Sequence, residues 1–149
     1  MRKLTKDQLA ASKRFRQHVL AGGRCFLYGT TCMLCEGNGY RFDKAFICVS
    51  CDGSGVHRCG GPLEAHHAIP KLALRNAVEE GSRDEAIYDA RNGIALCRRS
   101  HELVSVGAMK IPVDMLDEQV FRFAQDYDLT WLLEREFGYG DFAPTEEEE

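Results

Sequence analysis

No stretch of this chain approaches the ~18 consecutive apolar residues that a membrane-spanning helix needs. Its first residues, MRKLTKDQLAASKRF, are basic and have no apolar core of the kind that marks a secretory signal. A strong charge of one sign is missing too: 19 Lys and Arg stand against 23 Asp and Glu, a formal net of −4 that by itself speaks against a nucleic-acid partner. Nor is there an even set of cysteines. Seven thiols cannot all pair, which argues against a purely disulfide framework. In a reducing compartment, clustered thiols more often bind metal. The expectation is a cytoplasmic protein without a membrane segment, built as one domain or as one core with a small appended module.

The modest net charge conceals an uneven distribution. Residues 1–101 hold 16 Lys and Arg against 10 Asp and Glu, a net of +6, whereas residues 102–149 hold 3 against 13, a net of −10. The chain therefore joins a basic body, able to meet phosphate, to an acidic final third ending in four glutamates. Thr5 with Gln8 three residues later forms a capping-box pattern, and Gly22-Gly23 closes the helix that it opens. Leu9, Phe15, Val19 and Leu20 supply an apolar stripe for that helix. Strand candidates are Pro62–Ala68 and Gly93–Cys97, with a helix from about Arg98 and, between the strands, helix-forming residues Lys71–Asp89 interrupted at Gly81-Ser82. After Pro112, Met115, Leu116, Val120, Phe121, Phe123 and Ala124 recur at helical spacing, and Thr130–Phe137 forms a second short helix. The last five residues are expected to be disordered. Four segments result: a helix over 1–23, a cysteine module over 24–57, a core over 58–106, and a helical segment with an acidic tail over 107–149.

Within the module one pattern occurs twice. Cys32-Met-Leu-Cys35-Glu-Gly37-Asn-Gly39 is followed by Cys48-Val-Ser-Cys51-Asp-Gly53-Ser-Gly55, both C-x-x-C-x-G-x-G. Each C-x-x-C presents two thiolates to one ion, and the glycines allow positive φ and close approach of backbone N–H groups to sulfur. Four thiolates suit a closed, structural Zn²⁺ site. The repeat resembles the cysteine-rich motif of DnaJ-type co-chaperones over about residues 32–55. That family has four such motifs and a J-domain with a His-Pro-Asp signature, both absent here, so only the zinc-holding geometry is carried over.

The core carries Leu63-Glu-Ala-His66-His67-Ala-Ile-Pro70 and, further on, Asn92-Gly93-Ile-Ala-Leu96-Cys97-Arg98-Arg99-Ser100-His101. Neighbouring strand residues point to opposite sides, so His66 and His67 cannot do the same job. The two runs resemble the motif of the HNH (ββα-metal) endonucleases over about residues 58–106. The resemblance implies a small α+β protein with a ββα-metal core, the four-cysteine module upstream and helices on both flanks. It also implies hydrolysis of phosphodiester bonds in DNA, most naturally double-stranded, leaving 5′-phosphate and 3′-hydroxyl ends. His67 would be the general base, His66 and His101 ligands of one catalytic divalent metal, and Asn92 either an orienting residue or a further ligand. Mg²⁺, Mn²⁺, Ni²⁺ and Zn²⁺ all remain compatible with such donors. Arg98 and Arg99 are candidate phosphate contacts.

The sequence departs from the family pattern in two places. The helix position that often bears a further His is Ser105. The two C-x-x-C pairs that often flank the catalytic strands are reduced to Val56/Cys59 and Cys97/Ser100. Cys59 and Cys97 are therefore expected as buried thiols rather than metal ligands, and His18 and His57, matching no motif, as surface residues. These departures keep a second class open, a degenerate HNH-fold adaptor without catalysis, and a third, a DnaJ-like peptide binder. Small HNH proteins are often phage-encoded and some act with DNA-packaging machinery, which would place this one in a bacterial or phage-infected cell.

Overall fold

The computed structural model describes residues 3–42 and 44–133. The second half of the helix expected over Thr130–Phe137, with Phe137 itself, and the acidic tail lie outside them.

Helix α1 (Lys6–Leu20) opens with the capping box its sequence encodes. Thr5 Oγ1 accepts from the Gln8 N–H (3.2 Å) and Gln8 Oε1 accepts from the Thr5 N–H (2.9 Å). Such a cap contributes on the order of 1 kcal/mol. Of the expected apolar stripe, Phe15 is buried while Leu9 is exposed, because only the face near Phe15 and Val19 meets another element.

The chain then enters a pinched loop. A bridge between Thr31 and Val56 closes its neck, and a hairpin of β1 (Tyr40–Arg41) and β2 (Phe46–Ile47) forms its outer end. Strand β3 (Leu63–His67) pairs antiparallel with β4 (Gly93–Cys97), in a register that sets His66 opposite Ile94 and His67 opposite Gly93. Helix α4 (Arg98–Ser105) follows β4 without a break, its N-cap being Cys97. The ββα unit is thus continuous except for the crossover between its strands. That crossover contains α2 (Lys71–Ala77) and α3 (Arg83–Ile87), separated by a 3₁₀ turn at Glu80–Ser82 where Gly81-Ser82 interrupts the helical pattern. Helices α5 (Glu118–Asp126) and α6 (Thr130–Leu133) come last among the described residues.

One apolar core joins these elements. It gathers Leu27, Ile69, Leu74, Ile87, Leu96, Val104, Val120, Phe123 and Leu132. Of the residues expected on one helical face after Pro112, Val120, Phe123 and Ala124 are buried on α5. Met115 and Leu116 precede α5, Met115 in a 3₁₀ turn and Leu116 in extended backbone, and Trp131 on α6 is exposed. Arg91, just before β4, pairs with both Asp89 and Asp126 and so ties the crossover to α5. Helix α1 lies directly on the start of β4. A Cβ at Gly93 would sit 2.1 Å from Val19 Cγ2 and 3.0 Å from Phe15 Cζ, a physical reason for glycine there.

Candidate functional site

The packing of α1 against the hairpin leaves a cleft of about 440 Å³ whose walls include His66, His67 and His101. Arg16 from α1 and Lys71 and Arg75 from α2 add positive charge to its lining. Lys71 and Arg75 stand at i and i+4, one face of a helix, immediately after the His-His-x-x-Pro run.

Strand alternation separates the two adjacent histidines as expected. His66 turns towards α4, with its ring centroid 5.2 Å from that of His101. His67 turns towards α1, where its ring stacks on Phe15 at 4.5 Å and 15°. The Nε2 atom of His67 lies 2.7 Å from the Ile87 carbonyl oxygen. A carbonyl can only accept, so Nε2 carries the proton and Nδ1 holds the lone pair. Burial pushes the His67 imidazole down to about 4, and the charges of Lys71, Arg75 and His101 act in the same direction. Burial likewise lowers His66 to about 3, with His101 and His67 adding to the effect. Both rings are therefore neutral at neutral pH.

His101 is oriented by the carboxylate of Glu64, a residue outside the His-Asn-His set of the motif. Its Nδ1–H donates to Glu64 Oε2 (2.8 Å), which leaves Nε2 with the free lone pair. The hydrogen bonds from His101 and Arg98 hold the Glu64 carboxyl below its ordinary value. A signal for Glu64 was present in the sequence: it stands two residues before His66, on the same strand face. Two imidazoles, one fixed by a carboxylate, make a donor pair that fits a divalent metal, with Glu64 in the outer role usual for ligating histidines.

Asn92 is completely buried, and both ends of its amide engage one residue. Oδ1 accepts from the Ile69 N–H (2.7 Å) and Nδ2 donates to the Ile69 carbonyl (2.9 Å). The side chain thereby fixes the backbone two residues beyond His67. Arg98 and Arg99 do not line the cleft and make contacts within the protein. Arg98 Nε donates to Glu64 (3.0 Å), while Arg99 donates to the carbonyls of Ser50 (2.6 Å) and Arg58 (2.8 Å), bracing the cysteine module against α4.

In that module Cys32, Cys35, Cys48 and Cys51 are buried with their sulfurs all within 4.8 Å of one another. The separations are 3.9 Å for Cys32–Cys48 and 3.6 Å for Cys35–Cys51. A tetrahedral ion with metal–sulfur bonds of about 2.3 Å places neighbouring sulfurs about 3.8 Å apart, so the cluster fits a metal. The two knuckles are related by an approximate twofold. Cys32 N–H donates to the Gly55 carbonyl and Cys48 N–H to the Gly39 carbonyl, both at 2.9 Å. Gly39 N–H points at Cys35 Sγ (3.2 Å) and Gly55 N–H at Cys51 Sγ (3.3 Å). Both glycines have positive φ, and a Cβ on either would approach a carbonyl oxygen of the other knuckle to 2.4–2.5 Å. The repeated glycines are therefore required by the close approach of the two knuckles.

His57, expected at the surface, is instead buried and lies with Cys25, Cys59 and Cys97 in a second four-residue cluster of metal-ligating groups. The expected meeting of Cys59 with Cys97 is thus part of a larger arrangement. Its third cysteine and its histidine come from segments with no repeat to announce them.

The family model described as HNH endonuclease matches residues 41–109, a segment that contains His66, His67, Asn92 and His101. Comparisons with the curated proteins and with the solved structures gave no match. The family match supports a nuclease-type activity on nucleic acid, on an α+β scaffold with the ββα unit described above. Among the described residues no helix is long and apolar enough to cross a membrane.

Proposed function

We propose that this protein is a metal-dependent endonuclease that hydrolyses phosphodiester bonds of double-stranded DNA, with His67 as general base and His66 and His101 as the ligands of a catalytic divalent metal. The observation that carries this reading is the His67 tautomer: Nε2–H held by the Ile87 carbonyl, with Nδ1 left to accept a proton. The phosphate of the substrate lies against Lys71, Arg75 and Arg16, whose charges line the same cleft. His67 Nδ1 takes a proton from water as the water oxygen bonds to phosphorus, and the ester P–O bond on the opposite side breaks. A divalent metal held by His66 and His101 would supply positive charge that favours the developing phosphate and leaving-group charge. Asn92 acts as a positioning residue, keeping the chain after His67 in place through Ile69. Phe15 holds the His67 ring by stacking. The four-thiolate cluster takes Zn²⁺ and is structural, because a closed set of four sulfurs leaves no position for substrate.

The test is conversion of supercoiled plasmid to nicked or linear form, first with EDTA and then with Mn²⁺ or Mg²⁺ restored. Cleavage that stops with the chelator and returns with the metal supports the proposal. Retained DNA binding without cleavage under any of the four candidate metals would favour the adaptor reading.

A further inference from the structure

We propose that Cys25, His57, Cys59 and Cys97 form a second structural zinc site, binding the ion through three thiolates and one imidazole. The four side chains come from four separate places: the segment after α1, the end of the cysteine module, the turn before β3 and the junction of β4 with α4. Their ligand atoms nevertheless lie within 4.8 Å of one another. Cys25, His57 and Cys97 are buried and Cys59 is half-buried. Three thiolates and a neutral imidazole are a donor set that closes a tetrahedral Zn²⁺ site.

Proximity of cysteines alone would be ordinary core packing, since free cysteine is often buried. The surrounding donors point further. The N–H groups of Gly60 and Ser100 are both aimed at Cys97 Sγ at 3.4 Å, and the Cys97 N–H is aimed at Cys25 Sγ at 3.3 Å. This is the arrangement that Gly39 and Gly55 make in the first cluster, and it favours sulfur as an anion. Cys97 also sits at the N-terminus of α4, where the helix dipole favours negative charge. The buried Ser100 hydroxyl completes an outer layer, 2.6 Å from His57 Nε2 and 2.9 Å from Cys97 Sγ. Hydroxyls in that position orient ligating groups.

The location gives the ion a purpose. Cys25 lies outside the segment that matches the family model, and the Phe26 N–H next to it donates to the Ala95 carbonyl of β4 (2.6 Å). An ion bonded to Cys25 and Cys97 would fasten the chain just after α1 to the catalytic hairpin. Helix α1 is the element that stacks Phe15 on His67.

The full chain, purified without added metal, should carry two Zn²⁺ by elemental analysis. Cys25→Ser should retain one ion and Cys32→Ser should retain the other. After exchange with Co²⁺, the wild type should show sulfur-to-cobalt charge transfer from seven thiolates in two environments. His57→Cys should keep two ions while its second cobalt spectrum moves from the three-sulfur to the four-sulfur type. The wild-type cobalt spectrum decides the matter even where a serine variant fails to fold. One ion per chain with charge transfer from only four thiolates would overturn the proposal. A disulfide among Cys25, Cys59 and Cys97 in the purified protein, or their alkylation as readily as exposed thiols, would do the same.

Discussion

The loop from Thr31 to Val56 and the hairpin from Leu63 to His101 both hold chemistry-bearing side chains in place, but different forces hold them. In the loop the innermost side chains are the four cysteines, while Tyr40, Phe42, Phe46, Ile47 and Val49 are exposed. It has almost no apolar interior of its own; what it offers instead is a four-sulfur cluster that fits a metal and the reciprocal backbone contacts of Gly39 and Gly55. The hairpin rests on the main apolar core through Ile94 and Leu96, with α1 and α4 packed on it. One region thus has side chains that suit coordination, and the other is held by burial. Conditions that remove metal should separate them.

The largest effect is expected from breaking the loop. Cys48→Ser should cost one Zn²⁺ and the ordered state of residues 31–56. Structural zinc in small peptides contributes about 10–16 kcal/mol at neutral pH. Hydrogen exchange would show fast exchange there with β3 and β4 still protected. A variant that kept its zinc and its protection would contradict the assigned ligands. Next comes Glu64→Ala, which deprives His101 of its orienting carboxylate. Loss of such partners lowers metal affinity or activity about 10–100-fold, so cleavage should need more metal while thermal stability holds. An unchanged metal requirement would remove Glu64 from that role.

Smaller still is the effect of Lys71→Ala combined with Arg75→Ala. DNA binding should weaken and the slope of log affinity against log salt should flatten by about 2, one for each lost phosphate contact. A slope identical to the wild type would place the phosphates elsewhere. The smallest change should follow deletion of residues 145–149, which removes four carboxylates. DNA affinity should rise modestly at low salt and the difference should fade as salt increases. A large fall in cleavage at saturating DNA would mean that the tail acts in catalysis.

What was legible in the sequence followed how local each feature is. The Thr5–Gln8 cap and the twin C-x-x-C-x-G-x-G runs involve residues a few positions apart, so their geometry is written in their spacing. The β3 and β4 strands and the opposing directions of His66 and His67 followed from strand alternation. Single residues recruited from distant segments left no such trace. Cys25 and His57 have no repeat or partner nearby in the chain, and only folding brings them to Cys59 and Cys97. Arg98 and Arg99 likewise find distant protein partners, Glu64 and the carbonyls of Ser50 and Arg58, that no local spacing announces. Leu9 fitted an apolar stripe on periodicity but faces solvent, because the elements packed on α1 reach only its Phe15 side.

The most direct test of the central claim is plasmid cleavage by wild type and His67→Ala, each stripped of labile metal and resupplied with Mn²⁺ or Mg²⁺. Loss of a general base typically costs about 10²–10⁴-fold. The variant should fall by that amount with its zinc content and circular dichroism unchanged, while the wild type cleaves only with metal. A well-folded His67→Ala protein that cleaves at the wild-type rate would contradict the assignment of His67 as the base.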